Sequence, residues 1–305
     1  MKRKYNFVLV LLAFITVLVS CKKDDDDGLI FEERDRQKEA DVAKAEILEY
    51  LQTHFYNYEE FENPPVGFDY QIVFDTIGGD NSNKIPLIDQ VQTKSIFDRA
   101  TPELVYEVYY LNAVEGEGES IGFADGAYLN YKGIVLKNNI IFDQSTTPLM
   151  FDLTSVVTGF QEGICTLKTA GDFIVNPDNT ISFENYGVGA VFLPSALGYW
   201  YSPPAGSEIK AYNQIIFTYQ LFQAIKDIDH DGDGIPSYME DLNNNGYLMD
   251  DDTDNNGIPN YLDNDDDGDG TLTIDEIIIN EDGTIEFPDS NNNGIPDYLD
   301  KTYPN

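Results

Sequence analysis

Carboxylates spaced two residues apart are the most repeated chemistry in this chain. Asp229, Asp231, Asp233, Gly234, Ile235, Ser237 and Glu240 fall at positions 1, 3, 5, 6, 7, 9 and 12 of a loop. Oxygens at 1, 3, 5, 9 and 12, with the carbonyl at 7, suit a hard cation such as calcium, and glycine at 6 permits the sharp turn. The pattern recurs. Asp241, Asn243, Asn245, Gly246, Tyr247 and Asp252 form a second loop, and Asp252, Asp254, Asn256, Gly257, Ile258, Asn260 and Asp263 a third. Asp265, Asp267, Asp269, Gly270, Thr271, Thr273 and Glu276 form a fourth; Asp289, Asn291, Asn293, Gly294, Ile295, Asp297 and Asp300 form a fifth. Adjacent loops abut or share an end carboxylate, as at Asp252, which leaves no room for the paired helices of EF-hands. Without a cation, repulsion should unfold a tail with so little apolar content. His230, at a non-ligand position, is expected to face solvent.

The second candidate chemistry is apolar. Phe142-Asp143-Gln144-Ser145 puts an aromatic ring and a carboxylate at a strand end. Val156-Val157-Thr158-Gly159-Phe160-Gln161-Glu162-Gly163-Ile164 is a short β-branched run entering a helix, with Thr158 the expected N-cap. Gly159 and Gly163 are spaced to let that helix approach a sheet closely. Tyr128 to Gly133 lies upstream; Leu193 to Tyr199, Ile209 and Ile215 to Leu221 lie downstream.

These segments, in this order across about residues 103–226, resemble the FK506-binding-protein family of peptidyl-prolyl isomerases. The resemblance implies an α+β fold, an antiparallel sheet wrapped on a short helix. It implies rotation about the X–Pro amide of proline-containing peptides, with no cofactor for catalysis. The implied cage is Tyr131, Phe142, Leu149, Val156, Val157, Phe160, Tyr199, Ile209 and Phe217. Tyr199 would donate its hydroxyl and Val157 its backbone N–H to the substrate carbonyl, with Asp143 orienting the polar edge. The sequence departs from the family where the pocket floor is Phe160 rather than Trp and where Leu149, not an aromatic, follows Pro148. Gln144–Thr147 has no Arg to pair with Asp143, and Lys210-Ala211 replaces a Pro-Pro pair. The acidic loops resemble thrombospondin type 3 calcium repeats.

Charge separates these two chemistries. The formal net charge is −37, which excludes a nucleic-acid binder that must neutralise phosphates with Lys and Arg. Residues 227–305 hold 23 Asp or Glu and one Lys, a net of −22. Twenty Tyr and eighteen Phe favour β-rich structure elsewhere. Cys21 and Cys165 make no disulfide framework, and Cys165 reads as a small apolar core residue.

The remaining segments must position or deliver these sites. Residues 1–20 read as a signal: Lys2, Arg3 and Lys4 precede an apolar run too short for a comfortable span. Leu18-Val19-Ser20-Cys21 resembles a bacterial lipobox, making Cys21 the lipidated residue. Residues 21–30 form an acidic tether that resembles the export motif of Bacteroidetes-type surface lipoproteins. The expected place is therefore the outer membrane, periplasm-facing or surface-exposed. In the N-terminal region, 31–102, a helix is expected over 31–57, with Val42, Ala45, Leu48, Leu51 and Phe55 as its apolar stripe. That stripe could dock on the next domain or form a homodimer. Phe68, Tyr70, Ile72 and Phe74 alternate as a strand, and His54 packs or caps. Asp172–Tyr186 reads as a hairpin inserted into the 103–226 domain, around Asn176-Pro177-Asp178-Asn179. A calcium-binding tail, 227–305, completes the chain. The competing readings are a non-catalytic chaperone or binding module and a calcium-dependent surface structural protein.

Overall fold

A computed structural model describes residues 33–303. Cys21 and the segments before and after it lie outside the described residues. Helix α1 (Arg36–Thr53) is capped by Asp35, whose side chain accepts from the Lys38 N–H. It runs into strand β1 (His54–Tyr56) and a short helix α2 (Tyr58–Glu62). β1 pairs with β2 (Phe74–Thr76). The buried residues of α1 include Ala43, Ile47, Tyr50 and Leu51, while Val42 is 46% exposed. The expected stripe was therefore turned too far round the helix. Tyr50 decides the face: its ring stacks on His54 at 3.8 Å and its hydroxyl donates to Asn139 at 2.8 Å. The expected strand from Phe68 shrinks to β2, because Tyr70 adopts φ 54° and breaks the extended run. Its rings still cluster, with Phe68 and Tyr70 at 4.8 Å.

The chain then builds one six-stranded antiparallel sheet. Its strands are β3 (Gln92–Phe97), β4 (Val105–Val114), β5 (Gly126–Val135), β6 (Ile140–Asp152), β9 (Gly187–Leu193) and β10 (Ile215–Ile225). Their spatial order is β3-β4-β9-β10-β5-β6. Period-two alternation sends Phe217, Tyr219 and Leu221 to one face and Ile216 and Phe192 to the other. Helix α3 (Thr158–Ile164) covers the first face; α1 and the aromatic N-terminal segment cover the second. Both faces of β9 and most of β10 are therefore buried, which is why they read as near-continuous apolar runs. β3 lies before residue 103 yet forms the edge of this same sheet.

Helix α3 sits where its glycines demand. A Cβ on Gly159 would meet Leu193 side-chain atoms at 2.4 Å, and one on Gly163 would meet Val191 at 2.7 Å. Its N-cap is Val157, without a side-chain cap, rather than the expected Thr158. The inserted hairpin forms as β7 (Asp172–Val175) and β8 (Ile181–Glu184), anchored where Phe183 stacks on Phe222 at 5.0 Å.

The acidic segment is ordered into five loops that share one backbone pattern. The position-six N–H donates to the position-one carboxylate in every copy: Gly234 to Asp229, Gly246 to Asp241, Gly257 to Asp252, Gly270 to Asp265, Gly294 to Asp289. All five glycines have φ between 75° and 100°, the left-handed region that costs glycine little. Loop four ends in the single-turn helix α4 (Thr273–Glu276), and between loops four and five lies the small pair β11 (Ile278–Ile279) and β12 (Ile285–Glu286). The loops do not extend as an arm. Leu248 and Tyr261 pack on Ala124 and Phe123, and the Arg99 guanidinium lies 3.9 Å over the Tyr247 ring. His230, expected to face solvent, instead sits with Nε2 3.4 Å from the Asp152 carboxylate and its ring against Tyr261.

Candidate functional site

The aromatic site is built across β5, β6, β10, α3 and the loop after β9. Phe160 and Phe217 form its floor, each 3% exposed, with ring centroids 5.0 Å apart. Ile209 is buried in the same cluster. Tyr131, Phe142, Val156, Val157 and Tyr199 pack around that floor and remain half-buried. Phe142 meets Phe217 edge-on at 5.6 Å and Tyr199 at 6.2 Å. Gly133 makes room for it, since a Cβ there would lie 2.4 Å from the Phe142 ring.

Asp143 is exposed, and the Tyr131 hydroxyl donates to it at 2.5 Å. Burial first, then the Asp143 carboxylate, push the Tyr131 phenol up; burial and Asp143 do the same to Tyr199. Both phenols therefore stay protonated and able to donate near neutral pH. The Tyr199 hydroxyl and the Val157 N–H make no hydrogen bond among the described residues. The geometry thus offers an apolar, partly open recess with two uncommitted donors on its rim.

Leu149 does not join the cage; it is 44% exposed. A register shift between Leu129 and Tyr131 bulges β6, and Phe151 packs against Tyr131 and Phe160 instead, at 5.3 and 5.6 Å. Tyr219 was also missed: its hydroxyl donates to the Phe160 carbonyl at 3.2 Å and holds α3 on the sheet. The alternation of β10 carried that signal, since Phe217 and Tyr219 share a face.

The second candidate site is the set of loops, where residue type divides copies that spacing made equivalent. In loops three and five the Asn amides donate to the closing carboxylate: Asn256 to Asp263 at 2.6 Å, Asn291 and Asn293 to Asp300 at 2.8 and 2.7 Å. In loop two, Asn243 and Asn245 donate to Asp251 and Asp250, whereas Asp252 faces loop three. Loops one and four have only carboxylates in these places. Asp229, Asp231 and Asp233 bring oxygens within 4.8 Å of one another, as do Asp265, Asp267 and Asp269. Buried oxygens of Asp231, Asp233, Glu240, Asp265 and Asp267 have no donor among the described residues. A hard dication fits that donor set, being matched by carboxylate and carbonyl oxygens alone.

Electrostatics mark the same division. Burial, then the charges around it, raise Asp233 to about 6, Glu276 to about 7 and Glu240 to about 10. Thr302 and the Asn291 amide hold Asp300 at about 2. The position-nine side chains are engaged within their loops. Ser237, Asn260, Thr273 and Asp297 are buried and accept from the N–H of position two in their own loops, at 2.8–3.3 Å.

A family described as BamM C-terminal matches residues 230–288, well short of half the chain. No curated protein matches. Among solved structures, FkpA from Escherichia coli is similar at 20% identity and TM-score 0.35, the match covering 62% of each chain. A peptidyl-prolyl cis-trans isomerase from Pseudomonas syringae is similar at 15% identity and TM-score 0.36, covering 64% of this chain and 99% of that one. A multi-domain immunophilin from Arabidopsis thaliana gives 11% and 0.32, covering 46% and 48%. At TM-scores this low the three resemblances establish no shared activity.

Proposed function

We propose that the sheet domain is a peptidyl-prolyl cis-trans isomerase of the FK506-binding type. The observation that supports this reading is the recess itself, with Phe160 and Phe217 as a dry floor and Tyr131, Phe142, Val156, Val157 and Tyr199 around it. The X–Pro barrier is about 18–20 kcal/mol because resonance keeps the amide planar. Planarity places charge on the carbonyl oxygen, which water stabilises. An apolar recess removes that water and favours the twisted amide over either planar form. The prolyl ring would rest on Phe160. The Val157 N–H and the Tyr199 hydroxyl would hold the carbonyl as it rotates, while Asp143 fixes Tyr131. The test is exchange spectroscopy on an Xaa–Pro peptide with the full chain in calcium; catalysed exchange, with a preference for an apolar Xaa, is the expected result.

A second reading, a holding module without turnover, is favoured by one feature. Hairpin β7–β8 exposes Phe173, Ile174, Val175 and Ile181, each about half accessible. Binding of an unfolded, proline-free chain, abolished by polar substitutions in the hairpin and with no exchange catalysis, would select it.

The loops are proposed to bind calcium, through Asp229, Asp231, Asp233 and Glu240 in loop one and Asp265, Asp267, Asp269 and Glu276 in loop four. The Asn-containing loops would bind more weakly, since charge count tunes affinity. Cys21 is proposed to carry the lipid that holds the chain at the outer membrane. Among the described residues no helix is long and apolar enough to cross a membrane. Cys21→Ser should release the protein into the soluble fraction.

A further inference from the structure

Asp266 occupies position two of loop four, where the repeat assigns no ligand. Its counterparts are His230, Leu242, Thr253 and Ser290, so this loop alone has a carboxylate there. The backbone fixes its direction: the Asp266 N–H is held by Thr273 Oγ1 at 3.2 Å, and Thr273 is itself tied to the Asn264 carbonyl at 3.0 Å. The side chain leaves its own loop and reaches loop one. One oxygen of each of Asp266, Asp233 and Glu240 lies within 4.8 Å of the other two. These residues are 2%, 1% and 1% exposed. Both oxygens of Asp266, both of Glu240 and Oδ2 of Asp233 have no donor among the described residues.

Five buried oxygens on three carboxylates, from loops 26 residues or more apart in sequence, have no cationic side chain among them. Burying an ion without a partner costs several kcal/mol in effective terms, so such a set demands a cation. We infer that Asp233, Glu240 and Asp266 hold one calcium ion that cross-links loop one to loop four. This inference rests on the proposed calcium binding of the loops. All-oxygen, carboxylate-rich coordination selects a hard dication, and calcium tolerates the irregular geometry of a site assembled from two loops. Loop one then shares Asp233 and Glu240 between its own calcium and the bridge, and the tail closes on itself without disulfides.

The test is a calorimetric calcium titration of the full chain against Asp266→Asn, with the exposed Asp275→Asn as the charge control. Chymotryptic cleavage beside loop one, at the exposed Tyr238, is followed in parallel. Asp266→Asn should lose one equivalent, or weaken it about tenfold or more, because ligand charge sets affinity over decades; Asp275→Asn should titrate as wild type. In calcium, cleavage at Tyr238 should speed up although the substitution lies in loop four. In chelator it should slow, because one repelling charge has gone. Faster cleavage in both conditions would make Asp266 a packing residue and overturn the bridge. An unchanged titration would do the same. A wild type that takes up no calcium would sink the loop reading itself, a result distinct from a calcium-binding wild type that Asp266→Asn leaves unaltered.

Discussion

Asp98 in the sheet domain and Asp266 in the tail are equally buried, each 2% exposed, and they are solvated in opposite ways. Asp98 accepts from the Arg36 guanidinium at 2.6 Å, the Tyr106 hydroxyl at 2.8 Å and the N–H groups of Ala100 and Thr101. Asp266 accepts from nothing among the described residues. The sheet domain satisfies its own polar groups and surrounds them with aromatic packing. The tail gathers carboxylates whose buried oxygens accept no hydrogen bond among the described residues. One region therefore folds by apolar burial, and the other, on the proposed calcium binding, would draw the same order from a ligand. The boundary between them is a real contact, since Arg99 and Phe123 receive Tyr247, Leu248 and Tyr261.

The largest effect that could break this contrast is cation removal. A chelator should expand residues 227–303, raising chymotryptic cleavage there by orders of magnitude while near-ultraviolet dichroism of the sheet domain changes little. A tail equally resistant with and without calcium would place both regions in the same class. Next comes the aromatic floor. Phe160→Ala should cost roughly 3–5 kcal/mol of sheet-domain stability, since it empties a packed site, and should leave calcium stoichiometry unchanged. Urea unfolding together with a calcium titration reads both.

Acid should move the two regions differently. Asp233, Glu276 and Glu240 are raised above their unfolded values of about 3.9 and 4.3. Without cation they contribute stability below that range, lost as pH rises through about 6 for Asp233, 7 for Glu276 and 10 for Glu240. Asp300, held at about 2, has the opposite sign, and its contribution is lost only in strong acid. The chelated tail should therefore resist protease better at pH 5 than at pH 8, while the sheet domain shows no such gain. Equal cleavage rates at the two pH values would contradict the assignment. The smallest effect concerns one hydrogen bond. Tyr199→Phe should slow prolyl exchange by a factor corresponding to about 0.5–1.5 kcal/mol, with the urea midpoint unchanged.

The sequence made the repeating elements visible, because loop spacing and β-strand alternation are local. Gly159 and Gly163 announced a close helix–sheet contact, and both now abut β9. The aromatic content announced β-rich structure, the α+β class and antiparallel sheet came from the family resemblance, and the inserted hairpin was legible from its Asn-Pro-Asp-Asn turn. What stayed hidden was non-local. β3 is an edge strand with only Ile96 buried, so its pattern gives little signal. Leu149 and Phe151 have the same parity and both follow the β6 bulge, so alternation does not tell that Phe151 reaches the cage while Leu149 stays exposed. Position nine was read as a ligand because its residue types carry oxygens, and the loop's own backbone takes them. His230 and Asp266 sit at the same loop position, and nothing local tells that both turn toward other elements. The orientation of α1 depended on Tyr50, an aromatic whose partners lie in other segments.

The measurement that bears most directly on the sheet domain's role is the cis–trans exchange rate of a Leu–Pro peptide with the full chain, taken first in calcium and then in chelator. The cage draws every side chain from residues 131–217, so catalysed exchange should persist in both conditions while the tail opens only in the second. Exchange at the uncatalysed rate in calcium, from a protein whose sheet domain is folded, would contradict it.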